Sequence, residues 1–204
     1  MIQTGLSIKL DRMPYDEGAM FTNLERRIPE GLTVLVGCNG SGKTTFMHYV
    51  NNKYRNVYRI IRWNNITDKR DMKQRALEKD ISLVASLMTS SEGEEINTNM
   101  GIIASQIGNA VKRGEKSIIV LLDGVDSGLS IDNIADTMDF FENMLIPDVQ
   151  TRGLEIYIIV AANSYEMVRG RKCIDVRTGK EVSFKDYEDY RKFILKSRTI
   201  KEKR

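Results

Sequence analysis

Residues 32–45 read LTVLVGCNGSGKTT: a short apolar run, a glycine-punctuated loop, and the start of a segment with helical composition. The loop over 37–44 fits the phosphate-loop pattern GxxxxGK[ST] in the strand–loop–helix context that the pattern requires. Gly37, Gly40 and Gly42 let the backbone turn tightly. The amides of Asn39, Gly40, Ser41, Gly42, Lys43, Thr44 and Thr45 and the helix N-terminus then form a cradle for phosphate oxygens. Lys43 is expected to bridge the β- and γ-phosphates, and the Thr44 hydroxyl to hold Mg²⁺. The competing reading is a glycine turn that happens to contain a lysine. The strand in front and the Lys-Thr pair in register weigh against it, so ATP with Mg²⁺ is the expected ligand.

The rest of the composition fits one globular domain. The 204 residues suffice to bury a core, with an apolar share of 41%, a charged share of 29% and three prolines. Net charge is only +3, which excludes a polycation. Residues 185–204 hold eight basic against four acidic side chains, so the basic excess sits at the end of the chain, where a solvated tail is the simplest reading. Cys38 and Cys173 form no disulfide framework, and a single histidine gives no metal cluster. With no leader pattern and no apolar run of membrane-span length, a cytoplasmic protein without membrane contact is expected.

Along the chain, two strands are expected ahead of the phosphate loop, over 2–10 and 19–28, and a helix over 44–51 after it. A strand is expected over 57–63, where Arg59, Arg62 and Trp63 suit either nucleic acid or, more cheaply, a strand with one wet face. Helical composition fills 68–88. Ile96, Met100, Ile103, Ile107 and Val111 mark an amphipathic helix stopped by Gly114. Residues 117–123 and 154–160 read as buried parallel strands. Between them, Ser130 is expected to cap a helix whose apolar face is Ile131, Ile134, Met138, Phe141 and Leu145, with Pro147 just past its end. A hairpin about Thr178-Gly179 and a last helix over 187–196 complete an α/β fold with a mainly parallel sheet.

Asp123 closes the first buried strand, where a carboxylate reaches the Mg²⁺ shell beside Thr44. With GCNGSGKT, SSEGE at 90–94 and LLDGVDSGLS at 121–130 in this order, the chain resembles the ABC-type ATPases, and more closely their soluble SMC and RecF-like branch. The resemblance extends over nearly the whole chain. It implies that Ser91 and Gly93 are presented across a dimer to the partner's γ-phosphate, with Glu94 in the place of the family's glutamine or glutamate. Ser91-x-x-Glu94 is also an ordinary capping box, the better reading of the motif alone; its position between the phosphate loop and the Asp123 strand favours the signature, and both readings can hold. The implied layout is one ATP-binding domain over 1–204. It divides into an antiparallel subdomain (1–31), the phosphate-loop core (32–63), a helical signature segment (64–114), the core with Asp123 (115–184) and a basic helix or tail (185–204). No coiled-coil arms fit, and the implied partners are a second copy and a protein or nucleic acid to act upon.

Two departures bear on catalysis. Gly124 stands where the resemblance implies a glutamate that polarises the attacking water. Asn163 stands where many members carry a histidine, and an amide cannot take a proton at neutral pH. General-base help is worth about 10²–10⁴-fold, so slow turnover is expected rather than weak binding. A natural glycine and one introduced to trap the ATP-bound state read alike. Asp126 either substitutes through a water or belongs to the loop at a dimer interface. Tyr15 or Phe21 is a candidate to stack on adenine, and Gln74, Asn64, Asn65 or Asp68 to sense Mg²⁺. The alternatives to a slow ATPase are a non-hydrolysing ATP-dependent scaffold and a small-molecule kinase.

Overall fold

The computed structural model describes residues 5–10, 24–64, 92–127 and 129–203. A six-stranded sheet is built from β3 (Gly31–Val36), β4 (Arg59–Asn64), β5 (Ser117–Asp123), β6 (Glu155–Ala161), β7 (Cys173–Asp175) and β8 (Glu181–Val182). Its order is β4-β5-β6-β3-β7-β8, with every pair parallel except the β7–β8 hairpin. A separate antiparallel pair, β1 (Leu6–Leu10) and β2 (Leu24–Ile28), matches Leu6 with Ile28 and Leu10 with Leu24. The α/β class and the small second sheet are as the sequence predicts.

Alternation along β5 and β6 explains why both strands are apolar throughout. Ile118, Val120, Leu122, Ile156, Ile158 and Val160 face one layer, and Ile119, Leu121, Tyr157, Ile159 and Ala161 the other. Because both faces are covered, no position can be polar without losing its water. The second layer is made by α1 (Lys43–Tyr54), through Phe46, Met47 and Val50, together with Leu6, Ile8 and Ile28 of the small sheet. The first is made by α2 (Glu92–Lys112), through Ile103, Ile107 and Ala110, and by the helices that follow β5.

Those helices depart from expectation. One helical path runs through α3 (Ile131–Asp139), a π-helical turn (Phe140–Leu145) and α4 (Ile146–Thr151), so Pro147 lies inside it. A proline clashes with the carbonyl four residues earlier in a regular helix. Here the wider turn, in which Ile146 N–H donates to Phe141 O, carries the chain past that conflict. Ile131 is exposed rather than on the buried face, and the Ser130 side chain caps no backbone N–H.

After β6 come a short helix, α5 (Tyr165–Val168), the β7–β8 hairpin, and α6 (Tyr187–Glu202), which outruns its predicted end by six residues. Asp186 caps α6 by accepting Asp189 N–H at 2.9 Å. The segment is a helix docked through the buried Tyr190 and Ser197, while its described basic side chains, among them Arg191, Lys192, Lys196 and Arg198, are exposed to solvent. Arg59 and Arg62 are exposed beside the buried Ile61 and Trp63, the wet-faced strand of the cheaper reading. Among the described residues no helix is long and apolar enough to cross a membrane.

Candidate functional site

The carboxyl ends of the parallel strands finish level. Asn64, Asp123 and Ala161 are in register across β4, β5 and β6, Ala162 N–H donates to Leu35 O, and Val176 N–H donates to Val36 O. The crevice beyond the carboxyl ends is where a parallel sheet of this kind binds ligands. Strand β6 separates β3 from β5, so the segment after β6 lies between the phosphate loop and Asp123.

The loop between β3 and α1 is built for an anion. Gly37 has φ 152°, and a Cβ there would collide with the Ser41 hydroxyl and meet Val176 Cγ2 at 3.2 Å. Gly42, in the left-handed region, caps α1 without a side-chain oxygen, and no acidic residue occupies the first turn. The positive end of α1 is thus left to the loop's concavity. The Ser41 hydroxyl is buried without a partner among the described residues. Lys43 donates to Gly37 O at 2.7 Å and to Cys38 O at 3.4 Å, and burial lowers its pKa while Cys38, Asp123 and Asp126 pull it back up. Thr44 donates its hydroxyl proton to Asp123 Oδ2 at 2.7 Å, which brings together the two residues expected to share Mg²⁺. Asn39, Gly40 and Thr45 are exposed along the rim.

Gly124, directly after Asp123, has φ 69°. An L side chain is disfavoured there by roughly 1–2 kcal/mol, so this turn asks for glycine and not simply for any residue other than glutamate. Ser127 N–H donates to Gly124 O at 3.1 Å and closes the turn. Asp126, only 7% exposed, is committed to structure: Oδ2 accepts the backbone N–H groups of Asn163 and Ser164, each at 2.6 Å, and Oδ1 accepts the Asn163 amide at 3.2 Å. Asn163 is thereby fixed on the rim, and its carbonyl also accepts the Tyr190 hydroxyl at 3.0 Å. Burial, followed by Asp126, Cys173 and Tyr187, pushes the Tyr190 pKa up to about 12.

The model of the NB-ARC domain family matches residues 18–171 of this chain. The chain belongs to the NB-ARC domain family. The NB-ARC match makes it an ATP-binding P-loop NTPase. It covers the phosphate loop, Asp123, Gly124 and Asn163 and stops before β7, β8 and α6. It carries the P-loop ATPase part of the sequence reading but does not single out the ABC branch. No curated protein matches the chain significantly.

Within this NB-ARC domain, α2 begins at Glu92, so Gly93 and Glu94 fall in its first turn. That start suits a capping box and a signature equally. Ser91, Tyr15, Phe21, Gln74, Asn65 and Asp68 lie outside the described residues, while Asn64 closes β4 level with Asp123. Sequence reasoning missed α6 as part of the site. Its link to the loop, from Cys38 N–H to Ser197 Oγ at 3.4 Å, spans 159 residues and has no local signal.

Proposed function

We propose that this NB-ARC domain is an ATP-dependent switch that turns over slowly and acts on a protein partner. The observation that carries the reading is the pairing of a complete Thr44–Asp123 contact with a Gly124 turn that offers no carboxylate beside it. The donor set fits ATP with Mg²⁺. The glycine-lined loop and the uncapped helix end suit phosphate, and one hydroxyl with one carboxylate suits a hard cation whose remaining ligands come from phosphate and water. When bound, ATP·Mg²⁺ supplies the phosphoanhydride and the divalent charge. Lys43 neutralises phosphate charge, Thr44 and Asp123 hold the cation, and the loop amides orient the anion.

Proton transfer from an attacking water is the poorly served step. Asp126 has both oxygens engaged in holding 163–164, and Asn163 can orient a water but not deprotonate it. ATP therefore stays bound for long before it is hydrolysed, the property of a switch. The helix-start position of Gly93 is compatible with the trans contact implied by the ABC resemblance, with Ser91 and Glu94 beside it, and a second chain is then the first partner. A protein partner is also supported by Ile131, Tyr187 and Leu195, which are 68%, 57% and 45% exposed and line one groove beside Asn163.

The test is light scattering with ATP·Mg²⁺, ADP·Mg²⁺ and no nucleotide, with phosphate release followed in the same samples. Tight ATP binding, a change of state with ATP alone and release far slower than dissociation of ADP are expected. Rapid multiple turnover overturns the switch reading. A monomer throughout removes the trans contact and leaves a single-chain switch.

A further inference from the structure

Helix α6 lies outside the NB-ARC match, yet it touches the nucleotide site at two places. Tyr190, Ser197 and Lys201 are spaced by seven and four residues, which puts them on one stripe of the helix. From Tyr190 to Lys201 the stripe runs about 16 Å, enough to reach from the 163–164 loop to the phosphate loop. The first two residues are internal fastenings: Tyr190 donates to Asn163 O, and the Ser197 hydroxyl accepts Cys38 N–H. Both are buried.

Lys201 differs from them. It is exposed, and its ammonium donates to Asn39 O at 3.0 Å. It sits so close to Gly40 that a Cβ on that glycine would collide with Nζ. Among the described residues it forms no ion pair, unlike Arg198 one turn earlier, which pairs with Glu202. Three successive loop carbonyls are thus occupied by ammonium groups, Gly37 and Cys38 by Lys43 and Asn39 by Lys201. A second cation without a carboxylate partner, held on a loop whose task is to bind polyanions, has an evident counter-charge in the ligand.

We propose that Lys201 is a second cationic ligand of the bound polyphosphate, delivered in cis by α6, and that this contact fastens α6 onto the occupied site. The inference rests on the phosphate-loop reading above. An ammonium carries three donors, so one can stay on Asn39 O while others turn to phosphate oxygens. The contact recognises charge, not the nucleoside, so ATP and inorganic tripolyphosphate feel it alike.

Binding of ATP·Mg²⁺ and of tripolyphosphate is measured by calorimetry at several salt concentrations for the intact chain, Lys201→Gln, Lys201→Arg and Lys43→Ala. Lys201→Gln should weaken both ligands about fivefold, the worth of a partly exposed ion pair, and flatten the salt dependence. Lys201→Arg should bind within about twofold of the parent, and ligand-free melting should not change. Unchanged affinity in Lys201→Gln, with Lys43→Ala crippled, overturns the Lys201 assignment and leaves the phosphate loop standing. Weakened affinity with an unchanged salt slope also overturns it, reducing Lys201 to a positioning role through Asn39. If the parent chain binds neither ligand, the phosphate-loop reading itself fails and Lys201 falls with it.

Discussion

Replacing Asp126 separates a brace from a base. In Asp126→Ala, two backbone N–H groups that now donate at 2.6 Å lose a charged acceptor, and the Asn163 amide loses its partner. Hydrogen bonds to a charged group are worth about 1.5–3 kcal/mol each, and donors left buried cost comparably, so the loss should total roughly 3–5 kcal/mol. Against a typical stability of about 5–15 kcal/mol, that is a melting point lower by roughly 10 °C. Asp126→Asn behaves differently. Its amide oxygen, set where Oδ2 lies, still accepts both backbone protons, and its NH₂ faces an Asn163 amide that can rotate to present oxygen. The cost should be only about 1 kcal/mol. Urea unfolding of both variants checks the stabilities, and phosphate release checks the chemistry. A structural Asp126 predicts that Asp126→Asn releases phosphate within about tenfold of the parent, whereas loss of a general base costs about 10²–10⁴-fold. Equal destabilisation by Asn and Ala, or a collapse of turnover in a well-folded Asp126→Asn, would refute the assignment.

Lys43→Ala removes the cation that lies on Gly37 O and Cys38 O and should weaken ATP binding by about tenfold or more, as measured by calorimetry, with little change in ligand-free stability. Gly124→Glu forces a side chain onto a backbone at φ 69°, so it should lower stability by about 1 kcal/mol in urea unfolding. Phosphate release in the same variant should rise by less than about tenfold, because the turn does not present a side chain as an extended strand end does. Stability should also fall in alkali. The Cys173 thiol, pushed up to about 12 by burial, and the Tyr190 phenol, likewise about 12, stay protonated in the folded chain while their unfolded counterparts ionise near 9 and 10. The folded state then binds more protons, and stability drops between about pH 9 and 12 by up to roughly 1.4 kcal/mol per unit for each group. Urea midpoints across that range check it, and Tyr190→Phe should flatten the upper part of the decline.

The parts of the fold legible in the sequence are those whose cause is local. Residues 117–123 are apolar because each alternate side chain meets a different layer, and that double burial writes an uninterrupted run into the chain. The phosphate loop is equally local, since its turn geometry and its lysine lie within eight residues. Pro147 misled because a proline ordinarily ends a helix, and only the geometry of the preceding π turn lets the helical path continue. The end of α6 was hidden for a different reason. Ser197, Arg198 and Thr199 look like a polar terminus, and the buried contact of Ser197 to Cys38, from the far end of the sequence, leaves no local signal.

Gly124 joins these two kinds of information. Read as a string, it is a missing glutamate, and its meaning is catalytic. Read with its dihedral, it is a residue the turn requires, because the chain must leave β5 in a left-handed step to bring Asp126 under the Asn163 and Ser164 amides. Position 124 thus offers no second carboxylate beside Asp123, and the next one along the chain, Asp126, is engaged as a brace. Asp126 and Tyr190 fix the 163–164 loop from two sides while Thr44 and Asp123 stay in contact, so the rim is held by side chains that take no part in proton transfer.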